Sequence, residues 1–382
     1  MSKVLLLPSD HGGGRGHVSR CEHLAQKLRS DGFEPTLVLE AKHFKSSINS
    51  DGLDRVLLDT RSERFEKYQF KKPFKPGVHL KERLYKRPVF MAFDGLAYQI
   101  PRDGYWTPKL VRSRFNKLCR IIESKKPDVL IGDTHFLTFL LGRKFDLPVV
   151  QITRSAGFPP NPGFIWWTGH KEQYAAPDFL PPFAQLLDEL AINSIGKAED
   201  LLQGDLYLVP ASPEIEPCGN GSNIVYCGPL TALDHNNSRV PFFEEESDVA
   251  KIYVSIGGGA DRGQEKQFFD RVLDLFKDKE YRVLVSTGKR VKASSYKNKA
   301  VNMKFRDWVP GAAAIRQSDL VIFHGGYGTT MEVLSAARPS IVLPAHTEQE
   351  GNGRRLEALQ VGRVFPPLQK PDILHFDWPL GE

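Results

Sequence analysis

Two short stretches concentrate side chains able to move protons or hold anions. The first, SDHGGGRGHVSR (Ser9–Arg20), sets four glycines, two histidines and two arginines behind the apolar run VLLL (Val4–Leu7). A glycine loop between a strand and a helix bares backbone N–H groups at the positive end of the helix dipole, and so favours an anion. A phosphate cradle has no need of an imidazole, so His17 calls for another role: a base titrating near neutral pH. The second stretch, FHGGYGTTMEV (Phe323–Val333), puts His324, Gly325, Gly326 and Gly328 at the end of a strand and the start of a helix. Upstream, IYVSIGGGA (Ile252–Ala260) gives another strand running into glycines, Gly257 and Gly258 among them. A histidine beside bared glycine amides suits a diphosphate; the plain alternative is a hydrogen-bonded strand-end histidine. Glu332 is either the acid of a capping box with Thr329 or a carboxylate turned toward ribose hydroxyls. Asp133, which ends PDVLIGD, is either the N-cap of the next helix or a buried partner for an imidazole.

These residues need a frame that brings strand ends together. Short apolar, β-branched runs alternate with helical patterns: KVLLLP, PTLVLE, DVLIGD and PVVQIT early, then IYVSIG, RVLVST, DLVIFHGG and SIVLPA. Between them CEHLAQKLRS (Cys21–Ser30) and MEVLSAA (Met331–Ala337) have helical spacing. Such alternation predicts an α/β architecture with parallel sheets buried on both faces. The alternation stalls at GPLTALDHNNSRVPFFEEESD (Gly228–Asp248), which is polar, proline-punctuated and acidic at its end. The expectation is two domains, 1–235 and 249–382, joined by a linker at 236–248.

A chain of 382 residues accommodates two domains, and no apolar run approaches the roughly 18 residues that span a bilayer. The start of the chain lacks the long apolar core of a signal peptide, so a cytoplasmic protein is expected. Cys21, Cys119, Cys218 and Cys227 have no zinc-like spacing and read as free thiols. The net charge of +6 is uneven: segment 64–88 is basic with interleaved aromatics. That segment is a solvated insertion or a contact for an anionic membrane surface or acidic acceptor; no nucleic-acid motif accompanies it. Gly14-x-Gly16-x-x-Ser19, with Glu40 ending the next strand, approximates a dinucleotide fingerprint, but Ser19 and the intruding His17 fit it poorly.

Three ordered motifs in the second half carry a family resemblance: Trp308-Val309-Pro310, then His324-Gly325-Gly326-Tyr327-Gly328-Thr329-Thr330-Met331-Glu332, then Glu348-Gln349-Glu350-Gly351-Asn352. In order and spacing they resemble the donor-binding half of the GT-B glycosyltransferases, especially the UDP-glycosyltransferase and macrolide glycosyltransferase group. GGRGHVSR and YCGPL (Tyr226–Leu230) resemble that group's first loop and the close of its first domain. More distantly, the loop is similar to the lipid-intermediate transferase of peptidoglycan synthesis. The resemblance implies two Rossmann-like domains facing each other across a cleft, an acceptor side first and a nucleotide-sugar side second. It implies inverting, metal-independent sugar transfer from a UDP- or dTDP-sugar to a hydroxyl or amine acceptor, a natural product or lipid.

Position by position, the resemblance makes His17 the base, oriented by Asp133. His324 meets the donor diphosphate with Gly257, Gly258 and the amides of Gly325, Gly326, Gly328 and Thr329. Trp308 stacks on the base while the Val309 backbone reads its edge; Glu332 holds ribose; Glu348 and Gln349 hold sugar hydroxyls. The family's glutamine after W-x-P is Gly311 here, which puts the ribose and base contacts in question. Gly14 and Gly16, with Trp166 and Trp167 in GFIWWTGHKEQY (Gly163–Tyr174), are the acceptor-side candidates. Three other readings share the fold. A nucleotide-sugar hydrolase would fit G-x-G-H-x-x-R with Arg20 in place; the others are a 2-epimerase and a non-catalytic donor-binding subunit.

Overall fold

The computed structural model describes residues 1–10, 16–40, 44, 52–60, 95–160, 178–230, 239–244, 248–257, 265–344 and 346–365. Among them, two wholly parallel sheets organise the chain. The first is seven-stranded: β1 (Lys3–Pro8), β2 (Glu34–Glu40), β3 (Asp54–Leu58), β4 (Val129–Asp133), β5 (Val149–Ile152), β6 (Leu206–Val209) and β7 (Ile224–Tyr226), in the spatial order 3-2-1-4-5-6-7. Its helices are α1 (Gly16–Ser30), α2 (Gln99–Asp103), α3 (Pro108–Lys125), α4 (Thr138–Phe145) and α5 (Ala184–Glu189). The second sheet has six strands: β8 (Ala250–Ser255), β9 (Tyr281–Ser286), β10 (Met303–Arg306), β11 (Leu320–Phe323), β12 (Ser340–Val342) and β13 (Gly362–Val364), in the order 10-9-8-11-12-13. With it go α6 (Pro241–Glu244), α7 (Glu265–Phe276), α8 (Gly311–Gln317), α9 (Tyr327–Ser335) and α10 (Thr347–Ala358).

The apolar runs form strands because both faces of each sheet are covered. In β1, Leu5 and Leu7 join the core under α3 and α4, while Val4 and Leu6 pack with Val18, Cys21 and Ala25 of α1. This is the period-two split expected of a strand buried on two sides. The second sheet repeats it: Ile252 and Val254 pack with Phe269 of α7, and Tyr253 faces Ala313, Ala314 and Phe323. Within 236–248, Pro241–Glu244 is helical, and Phe242 and Phe243 are buried in the core of the second sheet. The two aromatics anchor this otherwise polar stretch to the domain that follows. Among the described residues, no helix is long and apolar enough to cross a membrane.

In both sheets the strand order reverses between the first and fourth strands in sequence, β1/β4 and β8/β11. Connections diverge there and leave a crevice at the carboxyl ends, where open α/β sheets take their ligands. His17 and Asp133 belong to the first crevice, Gly257 and His324 to the second.

Phe323 closes β11, is 1% exposed, and stands edge-on to His324 with ring centroids 6.3 Å apart. Replacing Phe323 by alanine is expected to cost about 3–5 kcal/mol of stability, read by urea unfolding. A loss below 1 kcal/mol would mean that this strand end is not part of the core.

Candidate active site

Asp133 lies opposite Pro8 across the β1–β4 ladder, so its carboxylate emerges where the chain leaves β1. Helix α1 begins at Gly16, which puts His17 in its first turn rather than in a loop. His17 Nδ1 is 2.8 Å from Asp133 Oδ1, with side chains 14% and 1% exposed. A carboxylate only accepts, so the pairing with Asp133 calls for Nδ1–H and would leave the lone pair on Nε2; Arg20 Nη2, which only donates, also stands 2.8 Å from Nδ1. Arg20, one turn along α1, grips the same carboxylate: Nε donates to Oδ2 and Nη2 to Oδ1, each at 2.9 Å. Burial alone would raise the Asp133 carboxyl, yet the adjacent Arg20 and His17 hold it well below the usual carboxylate range. Burial lowers His17 below its ordinary 6.5; Asp133 opposes this and Arg20 adds to it. The ring is therefore neutral at neutral pH, as a base must be. Asp133 does not cap the next helix, because α4 starts at Thr138 with Leu137 as its N-cap. The neighbouring His135 turns to Thr138 Oγ1, 2.9 Å away, and is buried.

On the second sheet, Gly257 has φ +69° and a Cβ there would run into the His324 ring; Gly326 is hemmed in by the same ring. Gly325, at φ +84°, lies against the carbonyl of Gln349. Gly257 and Gly326 thus let one imidazole settle between two loops, and Gly325 lets the turn close on α10, packings that larger residues forbid. Asn352 Nδ2 donates to Gly325 O at 2.8 Å, so the end of the E-Q-x-x-N motif secures the H-G-G turn. Helix α9 begins at Tyr327, with Gly326 as N-cap and its first bond from Thr330 N to Gly326 O. The N–H groups of Tyr327, Gly328 and Thr329 precede that bond and project from the amino end. Thr329 is consequently inside the helix and forms no capping box, which removes the capping explanation of Glu332. Burial raises the Glu332 carboxyl to about 7, with Arg316 opposing. Trp308, past the end of β10, is 66% exposed and Val309 is buried, leaving an indole face free for stacking. Gly311 opens α8 within van der Waals reach of Glu332 Oε2.

The two crevices meet through residues that the motifs did not single out. Arg154, just past β5, donates to Glu348 Oε1 at 2.7 Å, and Tyr98 donates to Glu348 Oε2 at 3.4 Å. Burial would raise Glu348, but Arg154 above all brings it down to about 2. Tyr327 is flanked by two guanidiniums, Arg154 at 4.3 Å and Arg20 at 5.8 Å from the ring centroid, and its hydroxyl donates to Pro210 O at 3.0 Å. The signal for Arg154 was its place after PVVQIT, the same carboxyl edge that pointed to Asp133. Gln349 is buried at the start of α10. Gly16 is exposed at the start of α1. Gly14, Gly258, Trp166, Trp167 and segment 64–88 lie outside the described residues.

Glu332 supplies a test of the site's electrostatics. Its carboxyl titrates higher in the folded chain than its ordinary 4.5, so between these values the folded state holds a proton that the unfolded state has lost. Stability therefore falls as pH rises from about 4.5 to about 7, and the full penalty persists above that. Glu332→Gln is expected to raise the Tm at pH 8 and to leave it nearly unchanged at pH 4.5, read by pH-resolved thermal unfolding. An equal Tm change at both pH values would refute the burial argument.

Comparison with known proteins follows the same division. Residues 254–374 match the glycosyltransferase family 28 C-terminal domain. The NDP-glycosyltransferase YjiC of Bacillus subtilis is 24% identical over 255 residues, covering 65% of this chain and 63% of that protein. The chain thus spans less than two thirds of that relative's length. Among solved structures, the calicheamicin glycosyltransferase CalG4 superposes with a TM-score of 0.68 at 17% identity, over 96% of this chain and 86% of that one. The spinosyn rhamnosyltransferase SpnG complexed with thymidine diphosphate gives 0.57 at 15% identity, over 95% and 86%. The chain has the GT-B fold of two facing Rossmann-like domains, resembles the UDP- and macrolide glycosyltransferases, and matches the glycosyltransferase family 28 C-terminal domain in its second half.

Proposed function

We propose that the chain is an inverting glycosyltransferase that moves a sugar from a nucleoside-diphosphate donor to a hydroxyl of a small-molecule acceptor. One observation carries this reading: a histidine braced by a buried carboxylate, 2.8 Å apart, on a domain that touches the helix opened by the second histidine loop. The acceptor oxygen attacks the anomeric carbon as the bond to the diphosphate breaks, and its proton passes to His17 Nε2. Asp133 holds the ring's other nitrogen and offsets part of the imidazolium charge. Charge building on the departing diphosphate meets His324 and the bared amides of Tyr327, Gly328 and Thr329. In this scheme no metal is required. Displacement from the face opposite the leaving group inverts the anomeric centre, so an α-linked donor yields a β-glycoside.

On the donor side, Trp308 stacks on the base beside the Val309 backbone, Glu332 takes ribose hydroxyls, and Glu348 and Gln349 face the sugar. SpnG binds thymidine diphosphate, which supports a pyrimidine base here; Gly311 leaves a smaller hand on the ribose than the family's glutamine would. The name of CalG4 supports a natural-product acceptor, held by the first domain. All four cysteines are free thiols, which favours a reducing, cytoplasmic setting. Peripheral membrane contact through segment 64–88 belongs to a lipid-acceptor variant of the same reading. Sedimentation with anionic vesicles at low and high salt tests it.

A hydrolase is the second reading, because Arg20 completes G-x-G-H-x-x-R and contacts Asp133. One assay divides the two: UDP-glucose and dTDP-glucose, with and without an aglycone panel, followed by anomeric proton NMR. A β-glycoside formed only with aglycone supports transfer; equal nucleotide release without it supports hydrolysis. His17→Ala is expected to lower turnover by ~10²–10⁴-fold while leaving nucleotide affinity within about twofold. If affinity collapsed while turnover per bound donor held, His17 would be a donor ligand.

A further inference from the structure

We propose that Arg20 is a positioning residue for His17: by chelating Asp133 it fixes the ring with Nδ1–H toward the carboxylate and keeps Nε2 unprotonated, ready to take a proton. The proposal rests on the reading of His17 as the base, and its own ground is geometric.

Asp133 Oδ1 is shared by two donors, His17 Nδ1 at 2.8 Å and Arg20 Nη2 at 2.9 Å, while Oδ2 takes Arg20 Nε at 2.9 Å. Arg20 Nη2 is itself 2.8 Å from His17 Nδ1. With the proton on Nδ1 both groups point their hydrogens at Oδ1; with the proton on Nε2, Nδ1 would accept from Arg20 instead, so the tautomer is the quantity that the test must read. Protonating the ring would put two cations side by side on one carboxylate whose charge Arg20 already meets. A histidine–aspartate pair without this arginine behaves differently, since an unshared carboxylate stabilises imidazolium and raises the ring's pKa. Arg20 also immobilises the carboxylate: with both oxygens gripped in a planar fork, Asp133 cannot rotate away from Nδ1.

Among the described residues, the charged groups that act on His17 fit this assignment. Besides Asp133 on β4 and Arg20 on α1, Arg102 of α2 and Glu348 of α10 act on the ring. Arg102 is engaged by Asp103 and Gln99, each at 2.9 Å, and Glu348 by Arg154 at 2.7 Å. Arg20 alone of the cations named here binds the carboxylate that holds His17.

The test is nitrogen-15 NMR of the imidazoles in the ligand-free full chain, as wild type, Arg20→Lys and Arg20→Gln. The expected wild-type ring is the Nδ1–H tautomer at pH 7, with a midpoint below 6.5. Arg20→Gln raises that midpoint by about one unit or more, and Arg20→Lys, which keeps the charge, stays closer to wild type. The acid limb of the pH–rate profile for dTDP-glucose turnover moves with it. An unmoved midpoint in Arg20→Gln, or a wild-type proton on Nε2, overturns the proposal. If Arg20→Gln fails to fold, a wild-type midpoint above 6.5, or one in Arg20→Lys displaced downward, does so instead. The titration needs neither donor nor acceptor. It therefore fails or holds separately from the transferase reading, which His17→Ala turnover decides.

Discussion

A carboxylate 1% exposed at the end of a parallel strand is the constraint around which this site is arranged. Leaving Asp133 unpartnered would cost several kcal/mol. The sequence meets the cost from one helix: His17 and Arg20, three residues apart, present neighbouring faces of α1 to both carboxylate oxygens. That demand fixes where α1 must start and how it must be rotated. The rotation in turn seats Val18, Cys21 and Ala25 under β1 and β2. Core packing and the chemistry of His17 are thus two results of one helix orientation.

The second domain solves a different problem by different means. His324 is placed by removing side chains: Gly257 and Gly326 each leave room beside the ring that a Cβ would fill. The amino end of α9 instead bares backbone donors of the kind that favour an anion. Between the two domains, among the described residues, charged contacts gather on Glu348 and Tyr327. Arg154 serves both Glu348 and the face of Tyr327, and such cation–π contacts are worth about 0.5–2 kcal/mol each, depending on exposure.

Much of this was legible in the sequence because parallel sheets write a plain pattern. Both-face-buried strands read as apolar runs, and the residue that ends each run lands on the edge where ligands bind. Asp133 and His324 stand at such strand ends in the structure, as that pattern predicts. The start of α1 was misjudged, since Gly16 lacks the look of a helix opener; its backbone is nonetheless helical and carries His17 in the first turn. The Thr329–Glu332 spacing mimicked a cap, but α9 had already begun at Tyr327, where a glycine supplies the entry. Arg154 and Tyr98 escaped notice because their importance is tertiary: each acts on Glu348 from far away in the chain, and no local spacing records that.

Tyr327 ties these themes together mechanically. It is the first residue of the helix whose amino end would face phosphate, and its hydroxyl is fastened to the Pro210 carbonyl of the other domain. A hinge motion that parts the domains must therefore either break that bond and slide the ring from between two guanidiniums, or drag the helix with it. The two domains are thus tied at the first residue of that helix by one aromatic ring, whose hydroxyl bonds across to Pro210 while Arg154 and Arg20 lie against the ring.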